Sequence, residues 1–558
     1  MNSGQLSNES TVNDTRWYRA FYFEDDWKAT QKLSFNLGLR YDYYQPYKEN
    51  GDGQANFIVN TSGIGTGTAT LLYPSSQRNT YLAPAFLSLM AANHVTIAYS
   101  DNHALVDSQK MNFAPRFGIA YTINPKTVIR GGFGIFYGGL ESFGSVNLGE
   151  SYPFQFTGGV VAPSCTAASC LSDGITIEKG FSSQIASGLQ NFVSTPAIQG
   201  AQTNYQTAYT MNYNLSLEHA FSNSMVGTMS YVGNLSRHLM TLVNPNAPNA
   251  LVNPANSSLT VQPFPGLGRD IASANTGESN YNGLQTKLQK RLSHGLDFLL
   301  NYTLSHALDN SVSPIEPNAS QRNINLIPQS QEYANSIWDV RHRVTLNGYY
   351  ALPFGAGQTH AFSSKALDLI AGGWATSFTF SAQTGNPFSV TPNITTAPAG
   401  SGGGAKTFLI RDPFKPGGTP DPTNSSVACA TSTRNRTNWY NPCAFANPLP
   451  GTGIPQSGAG SQVTGADNAI AYLGGRSNVL YGPGYNRINM SFFKRFTAFR
   501  EEYFEFRADV FNILNHPSLN QPSILTDNSN GGTITAAKSF QSNTPDARFL
   551  QLSAKYVF

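Results

Sequence analysis

Arg548-Phe549-Leu550-Gln551-Leu552-Ser553-Ala554-Lys555-Tyr556-Val557-Phe558 closes the chain with an apolar or aromatic side chain at every second position. Successive side chains on a strand point to opposite faces. Leu550, Leu552, Ala554, Tyr556 and Phe558 therefore make one apolar row, and Gln551, Ser553 and Lys555 make a polar one. A strand that turns one row to lipid and the other to a wet interior is the unit of a transmembrane β-barrel. A strand in a soluble sandwich alternates in the same way, so the rest of the chain must decide.

Working back from the end, Phe504, Phe506, Ala508 and Val510 oppose Glu505, Arg507 and Asp509. Three consecutive charged positions on one face would be costly in a dry sandwich core, whereas a water-filled lumen accepts them. These three residues are read as lumen-facing charges. The same period recurs in Leu33, Phe35, Leu37, Leu39, Tyr41, Tyr43, in Met211, Tyr213, Leu215, Leu217, and in Leu296, Phe298, Leu300, Tyr302, Leu304.

The connections between such segments alternate in length. Tight turns are expected near Ala29, Asn124, Ser222, Ser293 and Ala498, and long Asn/Pro/Gly-rich loops near 45–110, 138–204, 236–280 and 386–484. Transmembrane barrels have short periplasmic turns and long extracellular loops, which assigns the two ends. About thirteen strands are expected, an odd number, whereas bacterial single-chain barrels have even counts. The fold class is thus all-β, an up-and-down antiparallel meander. Strands and an export signal are expected upstream of Met1, with residues 1–558 the carboxyl-terminal part of a larger barrel that folds poorly alone.

Composition agrees. Charged residues are 12% of the chain, against roughly 25% in soluble proteins, with 35 Phe and 27 Tyr. A net charge of +3 carries no basic stripe, so no nucleic-acid partner is expected. No apolar run approaches the roughly 18 residues of a membrane-spanning helix. Cys165 with Cys170 and Cys429 with Cys443 form two local pairs among loop residues, read as disulfides of an oxidising compartment.

Ala20-Phe21-Tyr22-Phe23-Glu24-Asp25-Asp26-Trp27-Lys28 and Leu37-Gly38-Leu39-Arg40-Tyr41-Asp42 resemble barrel strands of TonB-dependent outer-membrane receptors. Gly283 to Arg291, Trp338 to Arg343 and Phe506 to Pro517 resemble the Oar-like branch in particular. The resemblance covers essentially the whole chain. It implies a barrel of about twenty-two strands preceded by a signal peptide, a carboxypeptidase-regulatory-like domain and a plug, none of which is visible here. It implies location in the bacterial outer membrane, lipid and the barrel-assembly machinery as partners, and a large substrate of unknown identity. The row from Leu550 to Phe558 would be the assembly signal. Contact with the TonB complex would run only through amino-terminal segments that these residues do not include.

No catalyst is expected. HExxH, GxSxG and CxxC are absent, and Gly402-Gly403-Gly404-Ala405-Lys406-Thr407 lacks the glycine before the lysine of a phosphate loop. His342, between Arg341 and Arg343 on a strand, reads as a satisfied lumen or turn residue rather than a catalyst. Glu49-Asn50-Gly51-Asp52-Gly53 reads as a solvated turn rather than a calcium loop. No cofactor or metal is expected. Trp439 and Tyr440 stand out in the longest loop as possible substrate contacts or membrane-rim anchors. A structural or adhesive barrel is the alternative to transport, and an outer-membrane hydrolase is a third reading that lacks its serine motif.

Overall fold

The computed structural model describes residues 3–8, 12–61, 67–138, 148–161, 196, 198–246, 250–251, 260–261, 263–267, 271–310, 332–391, 407–420, 427–446, 454–455, 462–463, 476–497, 502–526, 529–539 and 546–558. One antiparallel meander dominates them. Its strands are β1 (Tyr18–Lys28), β2 (Leu33–Tyr44), β3 (Phe113–Asn124), β4 (Thr127–Gly138), β5 (Ala208–Ser222), β6 (Met225–Val243) and β7 (Ile271–Ser293). They continue as β8 (Leu296–Asp309), β9 (His342–Ala351), β10 (Trp374–Gln383), β11 (Tyr485–Thr497), β12 (Tyr503–Phe511) and β13 (Phe549–Val557). Each pairs with the next, and two short strands, Gln199–Ala201 and Ala334–Asn335, attach to β7 and β8. Every strand named is in one sheet, so a two-sheet sandwich is excluded.

Register carries the two rows across every seam. Leu37 lies opposite Phe117, Phe117 opposite Phe133, Leu215 opposite Gly131 and Tyr231, and Leu552 opposite Ala508. Leu37, Leu215 and Leu552 are 41%, 58% and 60% exposed. The apolar face is therefore the outer face of a wall, and the leucines of its central band lie open. Aromatic residues border it at both ends: Trp27, Tyr121, Tyr350, Trp374 and Tyr556 near the turns, and Tyr41, Phe113, Tyr137, Tyr209 and Tyr302 near the loops. Two such girdles flanking an aliphatic band mark the two bilayer interfaces.

At two glycines of this outer face, a facing ring covers the gap. Tyr213 lies over Gly233 and Phe378 over Gly348, each from the directly opposite position, which restores the surface the missing side chain would supply.

The short connections behave as hairpin chemistry requires. His294 and Gly295 both have positive φ (53° and 76°), the geometry of a two-residue turn that follows the strand twist. At the next two turns, Asn124 accepts from the Lys126 amide and Ser222 from the Ser224 amide. The β9–β10 connection is longer and holds a helix, α2 (Lys365–Ala371).

The loop expected at 236–280 is shorter than that. β6 runs to Val243 and β7 begins at Ile271, so only 244–270 separates them. Register shifts between Ser236 and Leu239 and between Leu239 and Thr241, with His238 at φ 57°, break the period of two just where the sequence stops alternating.

At the opposite end the long connections condense into two caps. In the first, strands Asn56–Thr61, Thr68–Pro74 and Val95–Ser100 form a sheet covered by α1 (Pro84–Ala92). Phe57, Leu71, Tyr73, Phe86 and Met90 are buried with Tyr152 and Phe264, which arrive from two other loops. In the second, Phe388, Val390, Tyr440, Phe445 and Leu480 make a smaller core. Two neighbouring loops are tied to it: Asn335 and Asn478 exchange amide hydrogen bonds (3.1 and 2.7 Å), and the Tyr440 hydroxyl donates to the Ser523 carbonyl (2.8 Å).

Candidate functional site: the polar face and its caps

The polar face is built from paired charges. Arg507 donates to both carboxylate oxygens of Asp509 (2.9 and 3.0 Å), two residues along the same strand and so on the same face. Ser491 on β11 donates to Asp509 and accepts from Arg507 (3.0 Å), closing a three-residue network. Glu505 pairs with Arg495 at 2.8 Å and lies opposite Lys555 on β13. Glu505, Arg507 and Asp509 thus share one face of the wall, opposite the apolar row.

The same Arg-x-Asp device appears at β2, where Arg40 bonds both oxygens of Asp42 (2.9 and 3.1 Å) and the Tyr18 hydroxyl donates to Asp42 (2.7 Å). Asp42 is only 2% exposed, and three hydrogen bonds from two donors, the shared Arg40 Nε–H and the Tyr18 hydroxyl, satisfy it inside the wall. Between these stations the face is amide and hydroxyl: Asn234 donates to Asn212 (2.7 Å), and Thr210 and Ser236 share a hydrogen bond (2.9 Å). A shallow groove of about 390 Å³ runs along Ser377, Thr379, Asn489, Ser491, Arg507 and Asp509. Half-exposed donors and acceptors in such a row can bind polar ligands or a polar protein surface.

The caps place the remaining candidates. Cys429 and Cys443 are joined by a disulfide, Cα atoms 5.3 Å apart, at the edge of the second core. Cys165 and Cys170 lie outside the described residues. Tyr440 is fully buried and is a core residue of the second cap, which withdraws it as a ligand contact. Its ring packs against Phe445 at 5.5 Å, a burial that no local pattern in the sequence announces. Trp439 donates its indole N–H to the Tyr481 carbonyl (2.8 Å) and borders a cleft of about 630 Å³. His342, Val344, Ala382 and Asn486, which stand on the outward row at the loop end of the wall, line it together with Pro483, Pro517 and Leu519.

His342 is satisfied by a hydrogen bond with the Tyr302 hydroxyl (2.9 Å), but it lies opposite Leu304 on the outward row and not in the lumen, because the register of β9 on β8 sets its face. Glu49 is used locally: one oxygen accepts from the amides of Gly51 (2.7 Å) and Gly53 (2.8 Å). Asp52 accepts from Ser76 (2.7 Å) and bonds His103 (2.8 Å), with Lys48 at 3.8 Å. Burial pushes the Asp52 carboxyl up, but these hydrogen bonds and the lysine outweigh it and hold it below the usual carboxylate range. Of the C-terminal row, Leu550, Leu552 and Tyr556 stand exposed on the apolar face, and Phe558 is almost wholly exposed.

Sequence reasoning missed the caps' cores and the girdles. The girdles were findable, since their tyrosines and tryptophans fall at the ends of each alternating run.

Among curated proteins none matches the sequence. Among solved structures, the pyoverdine outer membrane receptor FpvA from Pseudomonas aeruginosa bound to pyoverdine is similar at 10% identity and a TM-score of 0.40, covering 98% of this chain and 43% of its own. The ferric-catecholate import receptor Fiu from E. coli K12 gives 10% and 0.37, covering 98% and 46%. The ferric preacinetobactin receptor BauA from Acinetobacter baumannii gives 9% and 0.38, covering 97% and 43%. The chain thus spans less than half the length of each of these structures. Residues 1–551 match the model of the outer membrane beta barrel domain, and the chain, an antiparallel wall with lipid-ready and wet faces, belongs to that family of the bacterial outer membrane.

Proposed function

We propose that this domain forms the wall and outer loops of a TonB-dependent transporter of the Oar-like kind, docking a large substrate at its loop end. The observation that carries the reading is the contrast between the two ends of the wall. One end has short connections, three of them two-residue turns, while the other carries loops folded onto their own cores above a polar, charged interior.

On this reading the turn end faces the periplasm and the caps face outward. The resemblance of Ala20 to Lys28 and of Phe506 to Pro517 to receptor strands supports it. Glu505, Arg507 and Asp509 then face the lumen, where paired charges tolerate water and shape the field along the pore. The row ending at Phe558 serves barrel assembly. Trp439, at the border of its cleft, remains the aromatic placed to meet a ligand at the rim. Energy input would come through a plug and a TonB-contacting segment of the parent protein.

Substrate uptake by cells carrying the full-length protein, with and without TonB, tests the reading. Uptake that collapses without TonB is expected. Equal uptake in both strains would overturn energised transport, and surface adhesion without uptake would favour an adhesive barrel instead.

A further inference from the structure

Helix α2 is short, and an isolated helix of that length does not persist in water. Its place is fixed by the wall. Lys494 on β11 belongs to the outward row, directly opposite Trp374 and between Phe492 and Phe496, where a bare ammonium would meet lipid. Instead it is 6% exposed and donates to the carbonyls of Asp368 (3.0 Å) and Leu369 (2.6 Å), at the carboxyl end of α2. That end carries the helix's partial negative charge, and the Asp368 carbonyl accepts Lys494 alongside the Gly372 amide, so cation and helix satisfy each other. A second tether is the Trp374 indole, which donates to the Ile370 carbonyl (2.8 Å) while its ring meets Phe506 edge-on at 6.3 Å.

Asp368 points back to accept from the Ala356 amide (2.7 Å). With Asp368 turned inward, the 100° step of a helix sends Leu367, Leu369 and Ile370 the other way, and they are 48%, 62% and 72% exposed. This apolar arc is continuous with the lipid-facing wall through Trp374 and Phe506, at the level of the turn-end aromatic girdle.

We propose that α2 is an interfacial anchor, laid in the headgroup and upper acyl region of the leaflet at the turn end, with phospholipid as the occupant of its apolar arc. Lys494 is the positioning residue: it converts a charge that lipid would reject into the clamp that holds the helix down. The inference rests on the membrane assignment of the apolar face and not on transport, so the two fail separately.

The test uses full-length protein in phosphatidylethanolamine–phosphatidylglycerol liposomes. It carries Cys165→Ser, Cys170→Ser and Leu369→Cys, labelled at the new thiol with an environment-sensitive fluorophore. Blue-shifted emission is expected, quenched severalfold more by lipids bearing a nitroxide high on the acyl chain than by aqueous iodide. Free quenching by iodide with none by nitroxide lipid would overturn the proposal, and so would shielding from both, which would mean a protein cover. Lys494→Met should move the label toward iodide access, and a label unmoved by that change would remove Lys494 from the clamp. Should that variant fail to fold, the labelled parent alone still decides.

Discussion

Leu37, Leu215 and Leu552 on the wall lie open, while Leu71, Leu267 and Leu480 in the caps are 1–2% exposed. The same residue type has opposite fates a short distance apart along one chain. In the wall, stability comes from the ladder and from a solvent that is itself apolar, so side chains need only avoid charge. In the caps the solvent is water, and leucine contributes only when other side chains cover it. The wall therefore tolerates exchange among apolar residues and resists charge, and the caps resist any loss of volume.

Phe264→Ala should have the largest effect. The ring is fully buried edge-on against Phe57 at 5.3 Å, and its loss should cost about 3–5 kcal/mol of local stability. Hydrogen exchange should show Asn56–Thr61 and Thr68–Pro74 opening while β5 and β6 stay protected; equal loss in the wall would break the division drawn here.

Leu215→Arg on the outer face should cost about 2–4 kcal/mol in bilayer refolding titrations, and Ser216→Arg on the polar face close to nothing. Similar costs for the two would mean that the faces are misassigned. Removing the disulfide with Cys429→Ser and Cys443→Ser, a sequence separation of 14, should release about 2–3 kcal/mol within the second cap, seen as faster proteolysis there and nowhere in the wall.

The smallest effect concerns acid. Asp52 titrates below its ordinary value of 3.8 in the fold, so its contribution is present above that value and fades as pH falls through the depressed one. Asp52→Asn should flatten the acid dependence of exchange in the first cap, and a profile identical to the parent's would exclude this carboxylate as its source.

The wall was legible because its signal is local. All thirteen strands sit where an alternating run stands in the sequence, since the ladder sends every second side chain to the same face. The caps were not, because their cores join residues with no local relation: Phe86 stacks near Tyr152 at 4.2 Å, and Asn56 bonds Ala201 across 145 positions. Tyr440 shows the cost. Within a stretch of Asn, Thr and Pro it looked like a surface aromatic, and only the arrival of Phe388 and Phe445 makes it a core residue. For the polar face the charges were readable and their partners were not, since Ser491 reaches Arg507 and Asp509 only through the register of β11 on β12.

The way each cap is assembled from several loops decides how the proposed docking of a ligand there can be mapped. Excising the segment around Phe264 would collapse Phe57 and Tyr152 with it, so a deletion that abolishes binding cannot say which loop touched the ligand. Resolving that question calls for single exchanges at solvent-facing positions such as Tyr81 or Leu87, where the buried scaffold survives the change.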